Sequence, residues 1–255
     1  MKTSFIPMLA ITRREISRIL RIWSQTIIPP IITSALFILI FGYSLGSRIT
    51  EVAGVSYLEF IIPGLLMMAV IMSSYANTST SLFIAKWHKM VQEWLVAPIS
   101  YWQIIISLTL AGVFRAVLIG AGVLLVSLIF TTITIHSYFL FLYFILMSSL
   151  LFSFAGIITG LWATNFDKMN VFSTFLITPL TYLGGVFYSI NMLPSFWANV
   201  AKFNPILYMV DGFRYAFIGV SDVPLIYSIL LVLFLTLGFF IWSIYLFRIG
   251  YRLRN

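Results

Sequence analysis

The chain has 255 residues, of which 61% are hydrophobic and 9% charged, with a mean hydropathy of +1.06. Soluble globular chains carry about a quarter of their residues as charges, so this one has too little polar surface to coat a water-exposed globule and reads as an integral membrane protein. It has no cysteine, which excludes disulfides, iron–sulfur clusters, thiolate metal sites and cysteine nucleophiles, and its formal net charge is +8.

The basic start leads into an apolar run far longer than the roughly 7–15 residues of a signal h-region, with no small-x-small site after it, so this run is expected to stay as a helix. Ahead of it, at about 5–23, Leu9, Ile16, Ile19, Leu20 and Trp23 share one helical face, with Arg14, Arg18 and Arg21 opposite. That pattern predicts an amphipathic interface helix lying flat on the inner leaflet. A membrane-crossing helix needs about 20 mostly apolar residues, since the hydrocarbon core is ~30 Å thick and each residue rises ~1.5 Å. By this measure six spans are expected, at about 24–46, 61–83, 101–130, 138–162, 171–189 and 224–247. Pro29 and Pro30 remove helical hydrogen bonds in the first and are expected to kink it. From Ala116 to Phe166 there is no formal charge, too long a run for one helix, so a break is placed at TTITIHS, 131–137.

Between the second and third spans, residues 85–97 read as a charged amphipathic helix. Trp87, Met90, Val91, Trp94 and Leu95 fall in one arc, Lys86, Lys89, Gln92 and Glu93 opposite, and Pro98 ends the helix. A loop tied to a span at each end gains little from lipid affinity, so its rigid polar ridge suits a soluble partner. Residues 190–220 lack an apolar run long enough to span; prolines, glycines and scattered charges suggest two short helices that lie at the surface or re-enter the membrane part way. There Asp211 and Arg214 stand at i and i+3, where pairing would let the segment sit shallowly in the membrane. The fold class expected is an all-α polytopic membrane protein forming one domain over 1–255.

Lysine and arginine set the orientation. With the N-terminus inside, the cytoplasmic side holds Lys2, Arg13, Arg14, Arg18, Arg21, Lys86, Lys89, Lys168, Arg248, Arg252 and Arg254, and the outer side Arg48, Lys202 and Arg214. Eleven against three makes both termini cytoplasmic. Topology and attraction to anionic lipid then account for the net charge without nucleic acid. Arg115 is the one charge inside an expected span, where it costs at least ~2.5 kcal/mol on insertion scales. It should face a dimer interface, a wet cavity, or a headgroup that it reaches by snorkelling.

No G-x-x-x-x-G-K-[ST] occurs, so the chain has no phosphate-cradling loop for ATP. All seven acids lie outside the expected spans, which disfavours the alternative of an ion-coupled secondary transporter. A lipid-modifying membrane enzyme needs a convergent acid, base, nucleophile or metal site. His88 and His136 fall on opposite sides of the bilayer and cannot pair, so no catalytic or metal site is expected.

Three stretches, the helix ending in EWLVAPIS, LITPLTYLGGVFYSINMLP at 176–194 and FNPILYMVDGFRYAFIG at 203–219, resemble hallmark segments of the ABC-2 type transporter permeases, membrane subunits of many bacterial exporters. The resemblance runs through essentially the whole chain. It implies a homodimeric permease in the bacterial inner membrane, driven by two copies of a separate ATP-binding subunit that holds ATP and Mg, with no cofactor in this chain. It also implies export of a lipid-linked, polysaccharide or drug-like substrate. On this reading Lys86, Trp87, Lys89, Glu93 and Trp94 form the ATPase-docking helix, and Asp167 and Lys168, in the turn after the fourth span, are a second cytoplasmic contact.

Overall fold

The computed structural model describes residues 5–253 apart from 45, 47, 49, 50 and 53. Lys2 and Arg254, counted in the charge bias, lie outside that set. The chain opens with α1 (Ile6–Arg21) and a single turn, α2 (Trp23–Thr26), before α3 (Ile28–Ser44). Pro29 and Pro30 stand in the first turn of α3, where the backbone N–H groups have no intrahelical partner in any case. The expected proline kink is therefore replaced by breaks at Ile22 and Ile27, whose φ angles are −112° and −105°. A two-residue hairpin, β1 (Glu51–Val52) with β2 (Val55–Ser56), leads into α4 (Tyr57–Trp87), capped where the Ser56 hydroxyl accepts from Glu59 N–H at 3.3 Å.

With 31 residues, α4 is about 46 Å long and outruns the ~30 Å hydrocarbon core. It is also the central helix. In its most apolar window 78% of residues are buried inside the protein, against 17% in the first and last candidate spans. It packs most heavily on α7 (Tyr138–Trp162) and then on α6 (Tyr101–Phe130). Lipid tails give apolar helices no hydrophobic reason to associate, so close approach and hydrogen bonds must hold them. Here Thr78 Oγ1 donates to the Ser153 carbonyl at 2.9 Å, and Gly156 lies so close to α4 that an added Cβ would meet Thr78 Oγ1 at 2.2 Å and the Tyr75 carbonyl at 2.5 Å.

Between α4 and α6 lies α5 (Met90–Val96), and after α7 come α8 (Phe166–Phe172), a π-helical turn over Ser173–Ile177 and α9 (Thr178–Tyr182). Together these last pieces give an unbroken helical path over 166–182, where a span over 171–189 was expected. Among the described residues five helices are long and apolar enough to cross a membrane: Trp23–Gly42, α4, α6, α7 and α12 (Leu225–Arg248). In the 190–220 segment a 3-10 turn at Ile190–Met192 precedes α10 (Ser195–Lys202) and α11 (Pro205–Ile218). Asn204 caps α11 by accepting from Ile206 N–H at 3.0 Å, and Gly219, at φ +72°, ends it in the left-handed conformation that glycine adopts without strain. Residues 131–137 are held to that end, with His136 and Ser137 N–H donating to the Phe217 and Ala216 carbonyls at 3.0 Å each.

The α4–α7 contact yields a paired expectation. Gly156→Ala should destabilise the detergent-solubilised protein by about 1–3 kcal/mol through overpacking. Gly238→Ala, where an added Cβ meets nothing within 4 Å, should leave stability unchanged or slightly raised. Thermal unfolding followed by fluorescence-detected size exclusion reads the difference.

Candidate functional site

The expected helix over 85–97 is two helices. α4 runs on through Trp87, the chain turns at His88 and Lys89, and α5 covers only Met90–Val96. Lys89 sits at φ 58°, a left-handed backbone that is uncommon for a residue with a side chain. The turn breaks the phase of the helical wheel, and the predicted polar and apolar faces separate accordingly. Lys89, Gln92 and Glu93 are exposed on one side of α5. Val91 and Trp94 are buried in the same apolar cluster as Leu82, Ile104, Leu108 and Ile157, so α5 is seated on protein.

Lys86 does not join the ridge. Its ammonium donates to the carbonyls of Gly160 at 3.1 Å, Leu161 at 2.5 Å and Ala163 at 3.2 Å, the free acceptors at the C-terminus of α7. A guanidinium N–H of Arg252 donates to the neighbouring Trp162 carbonyl. Two cations therefore sit at the negative end of the α7 dipole. Trp87 also departs from the expected arc. It is 62% exposed and lies 6.1 Å from both Phe83 and Phe166, ring centre to ring centre. That contact brings the second predicted site beside the first: Asp167 and Lys168 are exposed at the start of α8, next to Phe166, where Asn165 Oδ1 caps the helix by accepting from Lys168 N–H at 2.8 Å.

α1 is bound to this region partly through residues absent from the predicted set, Ile11, Glu15 and their partner Ser81. Its protein-facing side is Ile11, Glu15 and Ile19, while Leu9, Leu20 and Trp23, from the predicted apolar face, point away from the protein. Glu15 Oε2 accepts from the Ser81 hydroxyl of α4 at 2.6 Å, and its carboxylate pairs with Arg14 at 2.7 Å and Arg18 at 2.9 Å. Burial alone raises the Glu15 carboxyl, but Arg18, the Ser81 hydroxyl and Arg14 outweigh it and hold it below the usual carboxylate range. Because the folded value is the lower one, the attachment is complete above the ordinary carboxylate range and is lost as pH falls below it. Arg14 in turn lies 5.1 Å from the centre of the Trp94 ring and donates to Met90 Sδ at 3.5 Å. Glu15 thus links α1 to α4, and Arg14 links α1 to α5.

Deeper in the fold, Arg115 of α6 faces a cavity of ≈ 350 Å³ between α3 and α4. At the other end Asp211 and Arg214 lie 3.9 Å apart, and both are fully buried within the protein. Arg214 lies 3.8 Å over the Phe60 ring and donates to the Gly185 carbonyl at 2.5 Å, while Asp211 accepts from the N–H groups of Asp222 at 2.8 Å and Val223 at 3.2 Å. Asp222, absent from the predicted set, accepts from Ser189 Oγ at 2.7 Å, Ile190 N–H at 3.0 Å and Asn191 Nδ2 at 3.0 Å. These groups tie α4, α11 and the loops around 185–191 and 219–224 into one knot.

The five long apolar helices among the described residues define a polytopic membrane protein. Comparison with known proteins gives the family. The ABC-2 type transporter model matches residues 7–218, and the chain belongs to that family. It is 43% identical over 242 residues to inner membrane transport permease YadH of Escherichia coli (strain K12), covering 94% of each chain. Nodulation protein J of Rhizobium leguminosarum bv. trifolii is 24% identical over 179 residues, 70% of this chain and 68% of that one. The chain is accordingly an integral inner-membrane protein of the transport permease class, and its family implies an ATP-binding partner.

The separation of Lys86 from the ridge is directly testable. Lys86→Met leaves the Gly160, Leu161 and Ala163 carbonyls without their donor and should cost on the order of 1–3 kcal/mol in the thermal unfolding of the purified protein. Lys89→Met, at an exposed position, should stay within about 0.5 kcal/mol of the parent.

Proposed function

We propose that this chain is the membrane subunit of an ATP-driven exporter. It works as a homodimer with two copies of a separate subunit that binds ATP and Mg, and it moves a lipid-linked, polysaccharide or drug-like molecule across the cytoplasmic membrane. The whole chain, 1–255, acts as one transmembrane domain with six spans, the 166–182 helical path serving as the fifth, and both termini lie inside. α10 and α11 re-enter from the outer side, a reading favoured by the dense protein packing around α11, since lipid offers exposed backbone amides no partners.

The observation that carries the coupling role is the seating of α5. Lys89, Gln92 and Glu93 face outward, while Val91 and Trp94 lock the opposite side into the core and Arg14 clasps it to α1. A soluble ATPase pushing on that ridge moves protein and does not slide over lipid. The exposed Trp87 and the Asp167–Lys168 turn beside it extend the docking surface.

The test is the double charge reversal Lys89→Glu with Glu93→Lys. It should weaken copurification of the cognate ATP-binding subunit by about tenfold, since rim charges govern encounter and register, and reduce transport-coupled ATP hydrolysis, with membrane insertion and thermal stability unchanged. Trp94→Ala should act differently, retaining much of the binding while uncoupling hydrolysis from transport. Wild-type copurification and transport in the charge-reversed protein would reduce α5 to a structural element.

A further inference from the structure

The cavity beside Arg115 runs between α3 and α4, with walls that are mostly apolar, among them Phe37, Leu65, Met68 and Met72. Two polar groups in it have incomplete partners. Arg115 Nη2 donates to the Thr26 carbonyl at 2.9 Å, but its Nε–H is buried without a partner among the described residues. Ser73, 3% exposed on the α4 wall, likewise has a buried hydroxyl without a partner there. The ion pairs among the described residues are Arg14–Glu15, Arg18–Glu15 and Arg214–Asp211, and Arg115 enters none of them. Arg214 is held by a carboxylate and a ring face, whereas Arg115 has one backbone carbonyl.

An uncompensated cation within a span is costly, and a neutral side chain of similar length could keep the Thr26 hydrogen bond without that cost. The positive charge gains a purpose if its counter-charge arrives with a ligand. The volume of ≈ 350 Å³ is at the small end of the ~300–1,000 Å³ range of small-molecule sites. It holds one tetrahedral or planar anion and a few methylenes, not a sugar polymer.

We infer that this cavity binds the anionic head, a phosphate or carboxylate, of an amphipathic molecule with an apolar body, Arg115 serving as counter-ion and Ser73 as a second hydrogen-bond donor. Charge-assisted hydrogen bonds in a site of low dielectric make that pairing strong. The inference deepens the transport reading and rests on it in taking the anion as part of the cargo; a membrane phospholipid offers the same chemistry, and the experiment separates the two sources.

The measurement is equilibrium binding of dodecyl phosphate and of dodecanol to the full-length permease in nanodiscs of zwitterionic lipid, without the ATPase. The wild type should bind the phosphate about tenfold or more tightly than the alcohol. Arg115→Gln should bind both equally with undiminished thermal stability, since no carboxylate loses a partner. Arg115→Lys should keep part of the preference, and Ala69→Trp, filling the cavity, should weaken both ligands. Should Arg115→Gln fail to fold, the Lys and Trp variants still decide. Mass spectrometry of copurifying lipid assigns the source: about one phospholipid per chain, lost in Arg115→Gln, makes the occupant a membrane lipid, and its absence leaves the cargo. No phosphate preference in the wild type, or one that survives in Arg115→Gln or Ala69→Trp, overturns the site. Phosphate preference without ATPase association would remove the transport reading and leave the site standing.

Discussion

Thr78, Gly156 and their neighbours bring α4 and α7 closer than bulky side chains allow, and the rest of the arrangement depends on that seam. In a solvent where leucine gains nothing by leaving lipid for protein, two helices stay together only where small residues permit backbone contact and hydroxyls find carbonyls across the interface. Gly160 continues the contact toward the C-terminus of α7, its missing Cβ leaving room for the Ser79 carbonyl and Leu82, and Gly112 of α6 meets Thr78 and Ser153. Three spans therefore converge on one cluster of small and hydroxyl-bearing residues. At the C-terminal end of α7 Lys86 closes the seam by satisfying the last carbonyls of that helix.

The lengths of the two helices turn this seam into a mechanical element. α4 has 31 residues and α7 has 25, and the excess carries the chain to the turn at Lys89. α5 hangs from that turn with Val91 and Trp94 pressed into the core formed by α4, α6 and α7, and α1 closes over it through Arg14 and Glu15. Force applied to Lys89, Gln92 and Glu93 thus reaches three spans through packed side chains. At the opposite end the Asp211–Arg214–Asp222 knot fixes the top of α4 at Phe60 to the helices before α12.

Much of this was legible because hydropathy is a strong signal when lipid is the solvent: the helices over 101–130 and 138–162 have the bounds that apolar length and the TTITIHS break assign them. The misreadings share one cause, that a helical wheel assumes an unbroken helix and a single kind of surroundings. Lys89 gives no warning that it takes a left-handed backbone, so Lys86 and Trp87 were placed in phase with α5 although they belong to α4. Glu15 stands among arginines and reads as part of a basic face; its partner Ser81 is 66 residues away. Asp222 likewise depends on Ser189, Ile190 and Asn191, more than thirty residues earlier. The fifth span was placed at 171–189 from hydropathy, whereas the continuous helical path covers 166–182 and passes through a π-helical turn. Pro29 and Pro30 were judged by their effect inside a helix when they begin one.

The claim on which the coupling account rests is that α5 and α1 move as one body with the α4–α7 seam. The chain has no cysteine, so spin labels at Arg13→Cys and Gln92→Cys, both exposed positions, report the α1–α5 separation without background. Electron–electron resonance on the complex with the ATP-binding subunit, its labelled chains diluted with an excess of unlabelled cysteine-free permease so that one labelled protomer is present per dimer, should give one narrow distance distribution, unchanged between the nucleotide-free and ATP-bound states. A broad distribution, or one that shifts with ATP, would show that α5 slides independently of α1 and would contradict the account.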